Sequence, residues 1–215
     1  GVLVLMGPVG TGKSTLVRTL AGINQAVPSF RTWGEAVYAG APLGAARPAA
    51  LVAQNARLLM SSVLENIVSD LPERGQLTAA AKREQGARLL VEAGLAALLD
   101  ALDRPVVELP LAVQRHLAMA RTAASDPLLL CVDEPTASLE WQDSLPLLRF
   151  LREQGKQRAV IAVTHNQQDA IELGGRTALL AGGTIQSCAP AQDFFEAPAS
   201  PVAADFVRTG SCCLP

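Results

Sequence analysis

The stretch VLVLMGPVGTGKST, residues 2–15, decides the fold expected for this chain. Its first residues are apolar and predict a buried strand, and its last residues open a helical pattern. Between them, residues 7–14 match the phosphate-loop pattern G-x-x-x-x-G-K-[ST], with a strand before it and a helix after it as that pattern requires. The alternative is an ordinary glycine turn that happens to carry a lysine, and this context argues against it.

The residue types in this loop are suited to holding nucleotide phosphates. Glycines let backbone N–H groups point inward, and the helix N-terminus adds the positive end of its dipole. Lys13 is expected to reach the β- and γ-phosphates, and the Ser14 hydroxyl to coordinate Mg²⁺. The predicted cofactors are therefore ATP and Mg²⁺. The predicted nucleotide-binding residues are Gly7, Pro8, Val9, Gly10, Thr11, Gly12, Lys13, Ser14 and Thr15.

Apolar runs alternate with helical patterns along the chain, which indicates an α/β fold with a mainly parallel sheet. GEAVYAGAPL, residues 34–43, is typical of a hairpin or an edge strand. Residues 61–126 have helical spacing and predict an inserted helical subdomain between two parts of the core, residues 1–60 and 127–215. TALLAGGTIQ, residues 177–186, predicts a hairpin that gives the sheet an antiparallel edge.

Composition narrows the class of protein. The chain has 215 residues, of which 49% are hydrophobic, enough for a sizeable buried core. A net charge of -2 argues against a nucleic-acid partner held by bulk charge. No apolar run approaches the ~20 residues that span a bilayer, so a cytoplasmic chain is expected. Because the first strand follows Gly1 directly, we expect further residues to precede it in the protein.

LLLCVDEPT, residues 128–136, supplies a second part of the predicted site. An acidic residue at the carboxyl end of a buried parallel strand faces the crevice where such sheets bind ligands. Asp133 is expected to hold Mg²⁺, and Glu134 to orient or deprotonate an attacking water. The alternative is a pair of acidic residues at a strand end with no ligand, which the preceding phosphate loop disfavours.

Gln54 and His165 end two further predicted strands, ALVAQ and AVIAVTH. The carboxyl ends of parallel strands meet at one edge of a sheet, so both side chains are expected near Asp133. A lone Gln or His at a strand end is more often a loop residue than a catalytic one. The order of all these motifs along the chain favours the catalytic interpretation.

This order of motifs resembles the ATPase subunits of ABC transporters over residues 1–207. The resemblance implies a P-loop NTPase with a RecA-like core. It also implies that Gln54 is a metal ligand that senses the γ-phosphate and that His165 contacts the γ-phosphate. With Glu134, these are the predicted catalytic residues, and the predicted metal ligands are Ser14, Gln54 and Asp133.

The resemblance also implies partners and a place in the cell. Such subunits pair with a second ATPase subunit and with transmembrane permease subunits, peripherally on the inner face of the cell membrane. Two segments are most similar to subunits of bacterial phosphate importers: MSSVLENI, residues 60–67, and VTHNQQDA, residues 163–170. Importers of other oxyanions or of polar amino acids have similar sequences in these segments. A soluble ABC protein of DNA repair or translation is disfavoured, because the short helical insert leaves no room for a long coiled coil.

One segment departs from the family pattern. Residues 109–113, Leu-Pro-Leu-Ala-Val, stand where the family signature Leu-Ser-Gly-Gly-Gln belongs. Pro110 removes a hydroxyl and a backbone donor, and the side chains that follow obstruct close backbone approach to a phosphate. We therefore expect a heterodimer in which the other subunit supplies an intact signature, or else a silent regulatory subunit. Glu140 stands where the family usually has Asp, and His116 is expected to be a partly exposed helical residue.

Overall fold

The structure is a computed structural model that describes residues 1–38, 40–42, 49–54, 58–59 and 61–212. In this part of the chain, six strands form one sheet in the order β4-β5-β6-β1-β7-β8, parallel except for the β7–β8 pair. The α/β class, the mainly parallel sheet and the antiparallel edge predicted from the sequence are confirmed. The strands are β1 Val2–Met6, β2 Val37–Tyr38, β3 Ala41–Pro42, β4 Ala49–Val52, β5 Leu129–Asp133, β6 Ala159–Val163, β7 Arg176–Ala181 and β8 Thr184–Pro190.

The helices cover both faces of the sheet. The α-helices are α1 Lys13–Leu20, α2 Val63–Ile67, α3 Ala79–Glu92, α4 Leu111–Ala124, α5 Trp141–Gln157, α6 Gln167–Leu173, α7 Ala191–Glu196 and α8 Pro201–Thr209. Short 3-10 helices span Ile23–Ala26, Arg74–Gln76, Ala96–Ala101 and Val106–Glu108. None of the helices in the described ranges is long and apolar enough to cross a membrane.

Strands β2 and β3 form a separate antiparallel pair. They add no strand to the main sheet within the described residues, so the hairpin alternative fits them and the edge-strand alternative does not. Part of the quoted segment, Ala39 and Leu43, lies outside the described residues. Helix α7 was not anticipated from the sequence.

The helical segment between β4 and β5 folds because its turns are capped and one side is apolar. Ser62 accepts a hydrogen bond from the Glu65 N–H at the start of α2, and Thr78 caps α3 in the same way. The buried Asn66 side chain bonds the backbone of Leu59 in both directions, at 2.8 and 3.1 Å. These contacts tie α2 to the chain that leaves the sheet.

Alternation along the strands divides the core into two layers. Val4 and Met6 of β1 face the larger cluster, which includes α4 and α5, while Leu5 faces the smaller cluster around Val17 of α1. Every residue of β5 is buried, as expected for a central parallel strand with helices on both sides. Because helices pack on both faces of the sheet, the carboxyl ends of its strands, where the predicted site lies, are held in place.

Candidate functional site

Sheet order brings the predicted site residues together. Strands β5, β6 and β1 are neighbours and run parallel, so the segments after their carboxyl ends lie side by side. Asp133 ends β5, His165 follows β6, and the phosphate loop follows β1. Gln54 lies two residues beyond β4, the neighbour of β5.

The phosphate loop depends on glycine at its first position. Gly7 has φ 150°, and a Cβ there would lie 2.1 Å from the Leu180 carbonyl oxygen, so any side chain would displace the loop or β7. Gly12 has φ 91° and precedes the first residue of α1, which leaves the helix N-terminus open to the loop. A glycine loop that ends at the N-terminus of a helix is the arrangement that binds phosphate through backbone N–H groups.

Lys13 lies over this loop. Its Nζ donates hydrogen bonds of 2.8 Å to the carbonyl oxygens of Gly7 and Pro8. Burial lowers the pKa of the Lys13 ammonium, while the nearby charges of Glu134 and Asp133 oppose that shift. The ammonium is partly desolvated and bonded only to neutral carbonyls in the described residues, so an anion entering the loop would gain a strong interaction with it.

Ser14 and Asp133 form the oxygen-rich part of the site. The Ser14 Oγ donates a hydrogen bond of 3.2 Å to Asp133 Oδ1. Gln54 and Asp133 line one small crevice together with Pro135 and Arg115. Hydroxyl, carboxylate and amide oxygens are the ligands that Mg²⁺ accepts, so this set fits that ion.

Glu134 and His165 are in contact. The His165 Nδ1 lies 3.1 Å from Oε1 and 3.0 Å from Oε2 of Glu134. Glu134 is mostly buried, whereas the His165 side chain is largely exposed. Glu134 has φ 51°, a conformation that costs about 1–3 kcal/mol in a residue other than glycine, and its N–H donates to the Val163 carbonyl at 2.9 Å.

A buried polar cluster that the sequence analysis missed lies beneath this pair. Asp169 of α6 accepts hydrogen bonds from the hydroxyls of Thr136 and Thr164, the latter at 3.3 Å. Burial raises the pKa of the Asp169 carboxyl, and the bonds from Thr136 and Thr164 oppose the shift. The only signal in the sequence was a polar residue in the first turn of a helix, which by itself indicates helix capping.

Residues 109–113 begin α4 without a polar cap. Pro110 occupies the N-cap position, and no side chain of the described residues caps this helix end. Leu111 is 49% exposed, and nearby Val107 is 63% exposed. The Gln114 side chain turns back to the Leu109 carbonyl at 2.8 Å. The helix start therefore presents apolar surface where phosphate binding would need hydroxyl and amide donors.

Arg115 joins α4 to the loop after Glu134, a contact that the sequence analysis did not anticipate. Its guanidinium donates to the carbonyl oxygens of Ala137 and, at 3.5 Å, of Pro135. Burial lowers the pKa of Arg115. Glu140 ends this loop as the N-cap residue of α5, and its carbonyl accepts the Ser144 hydroxyl at 3.0 Å.

His116 corrects one expectation. It was predicted to be partly exposed but is only 4% exposed, because α4 directs it toward Phe150 of α5, with ring centroids 5.1 Å apart. Its Nε2 has no hydrogen-bond partner among the described residues. Burial lowers the pKa of His116 to about 4, although a hydrogen bond to the Ala93 backbone opposes the shift. His116 therefore belongs to the interior between α4 and α5.

The glycine loop, the acidic strand end and the sheet order define a P-loop NTPase fold. The sequence profile of the family described as ABC transporter matches residues 1–137, and the chain belongs to that family. This match confirms the resemblance that the motifs indicated.

Three relatives are import ATP-binding proteins. The chain is 28% identical over 216 residues to phosphate import ATP-binding protein PstB 2 of Bacillus subtilis (strain 168), covering 96% of this chain and 80% of that protein. It is 30% identical over 208 residues to sulfate/thiosulfate import ATP-binding protein CysA of Xylella fastidiosa (strain Temecula1), covering 96% and 60%. It is 31% identical over 214 residues to spermidine/putrescine import ATP-binding protein PotA 1 of Pseudomonas aeruginosa, covering 94% and 55%. The chain thus spans less than two thirds of the last two relatives.

Proposed function

We propose that this chain binds ATP with Mg²⁺ and hydrolyses it to power an ABC-type importer. The observation that carries the proposal is the convergence of the phosphate loop, Asp133 and the Glu134–His165 pair at one edge of the sheet. The loop N–H groups and Lys13 would bind the β- and γ-phosphates, with Thr15 in the first turn of α1 completing the loop.

The metal site is formed by Ser14, Asp133 and Gln54 in this proposal. Ser14 and Asp133 are already within hydrogen-bond distance, and Gln54 lines the same crevice as Asp133. When bound, Mg²⁺ supplies positive charge that offsets the charge on the phosphate oxygens. Lys13 and Mg²⁺ would have separate roles in this site, because the Lys13 ammonium is bonded to the phosphate loop itself.

Glu134 acts as the base that orients and deprotonates the attacking water, and His165 contacts the γ-phosphate. The carboxylate is mostly buried, which limits competing solvent, and the histidine contact fixes its direction. Gln54 follows β4, the strand at one edge of the main sheet, and would couple the state of the γ-phosphate to a partner. Residues 61–126 then form the helical subdomain that faces that partner.

The apolar start of α4 supports a heterodimer. In a head-to-tail dimer, each ATP is held by the phosphate loop of one subunit and the signature segment of the other. Pro110 and Leu111 offer no hydroxyl and no close backbone approach, so this chain can hold its own ATP but stabilises the ATP of its partner poorly. The second ATPase subunit would supply the intact signature.

The proposed membrane partner is a pair of transmembrane permease subunits, with this chain held peripherally on the inner face of the cell membrane. The three relatives are named as proteins of phosphate, sulfate/thiosulfate and spermidine/putrescine import. We propose phosphate or a similar small solute as the transported substrate, because the sequences of residues 60–67 and 163–170 are most similar to those of phosphate-importer subunits. No nucleic-acid partner is proposed, in keeping with the net charge of -2.

The test is Mg·ATP hydrolysis by the chain alone and mixed with ATPase subunits encoded beside it, with Glu134→Gln as control. The proposal is supported if a mixture hydrolyses ATP and if Glu134→Gln abolishes that hydrolysis. ATP binding without turnover in every mixture would instead support a silent regulatory subunit, which the apolar segment at residues 109–113 also favours.

A further inference from the structure

We propose that Asp169 is a positioning residue that holds Glu134 and His165 in register by bonding the two loops that carry them. The inference rests on the proposed function and adds a residue that acts through Glu134 and His165. Its basis is the hydrogen bonding of one buried carboxylate.

Asp169 lies between the two loops. It belongs to the first turn of α6 and is 1% exposed. Its Oδ2 accepts a hydrogen bond from the hydroxyl of Thr136, two residues after Glu134. The same oxygen accepts the hydroxyl of Thr164, the residue before His165, at 3.3 Å. One oxygen atom therefore links the segment after β5 to the segment after β6.

The Thr164 hydroxyl extends this link around His165. It accepts a hydrogen bond from the Asn166 N–H at 3.1 Å, so the residues on both sides of His165 share one hydroxyl. Asn166 in turn caps α6, accepting the N–H groups of Gln168 and Asp169 at 2.8 and 3.3 Å. The backbone that carries the histidine is thus held from Asp169 in two ways.

The carboxylate is costly to keep buried, which argues for a role beyond packing. Within the described residues, Asp169 forms no ion pair with Lys or Arg, and two hydroxyls are its side-chain donors. Its position in the first turn of α6 offsets part of the desolvation cost through the helix dipole. Buried hydrogen-bond networks of this kind hold the segments that they join in one arrangement.

Glu134 needs such a restraint because its own backbone is strained. With φ 51°, the residue has other conformations of lower energy once its neighbours are free. The hydrogen bond from its N–H to Val163 holds one side, and the Thr136–Asp169 bond holds the loop two residues later. Loss of the second restraint would let the carboxylate leave His165 while the phosphate loop stays intact.

The first test needs no nucleotide. The chain has two histidines, His116 and His165, so ring ¹H–¹³C spectra of the labelled chain at a fixed pH show two sets of signals. Thr136→Val and Asp169→Asn should move the His165 signal in the direction produced by Glu134→Gln. Thr177→Val is the matched control, since Thr177 is 0% exposed and its hydroxyl has no partner in the described chain. That control should leave the signal in place.

The second test measures turnover in the hydrolysing mixture. Thr136→Val should lower kcat about tenfold or more with the KM for ATP unchanged within about twofold, because misplaced groups lose rate before they lose binding. If Asp169→Asn does not fold, Thr136→Val alone carries both tests. The inference would be overturned if Glu134→Gln shifts the His165 signals but Thr136→Val leaves them at their wild-type positions. No turnover by any mixture, with the signals coupled as expected, would overturn only the proposed function.

Discussion

The His165 ring and the Glu134 carboxylate are joined at 3.0–3.1 Å across two neighbouring strand ends. The proposed base is thus oriented by the residue proposed to meet the γ-phosphate. Orientation of a base by a third group is typical of sites that activate a nucleophile.

Replacing Glu134 by Gln should abolish turnover while leaving nucleotide binding. The substitution keeps the shape of the side chain and removes its ability to take a proton, which costs about 10²–10⁴-fold in rate for a general base. Single-turnover rates and fluorescent-nucleotide affinity in the hydrolysing mixture measure the two effects. Equal rates for wild type and Glu134→Gln would exclude Glu134 as the base.

Gly7→Ala should remove nucleotide binding and lower the free energy of unfolding, because the added Cβ would lie 2.1 Å from the Leu180 carbonyl oxygen. Gly183→Ala is the matched control. It also has a positive φ, 79°, but open space around it, so it should cost only about 1–2 kcal/mol. Urea unfolding and nucleotide titration of both variants check this. A Gly7→Ala protein as stable as Gly183→Ala, and binding as well, would contradict the loop geometry.

Buried His116 should make stability depend on pH. The unfolded chain binds its proton near pH 6.5, whereas burial lowers the pKa of His116 in the folded protein to about 4. The unfolded state therefore binds more protons in this window, and the free energy of unfolding falls as the pH is lowered from 6.5 to 4, by about 3 kcal/mol.

His116→Leu isolates this contribution. It removes the titrating group and keeps an apolar side chain beside Phe150. Urea unfolding at several pH values should give a curve for His116→Leu that is flatter than the wild-type curve below pH 6.5. Parallel curves would show that His116 is accessible to protons in the folded state.

The sequence predicted the central fold well because its signals were local and strong. A glycine loop between an apolar strand and a helix is compatible with few folds. The carboxyl ends of parallel strands meet at one edge of the sheet, so the convergence of Asp133, His165 and Lys13 could be anticipated. Asp169, Arg115 and the true burial of His116 could not. Each depends on which face of a helix meets the core, and the sequences of α4 and α6 mix polar and apolar residues without marking that face clearly.

In the proposed function, this chain has a working phosphate loop and base but lacks a phosphate-binding signature segment. The most direct measurement is steady-state Mg·ATP hydrolysis by the chain alone, before and after restoring that segment with Pro110→Ser, Leu111→Gly, Ala112→Gly and Val113→Gln together. We predict negligible turnover before and measurable turnover after, lost again when Glu134→Gln is added. Steady Glu134-dependent hydrolysis by the unaltered chain, as fast as that of the restored variant, would contradict the account.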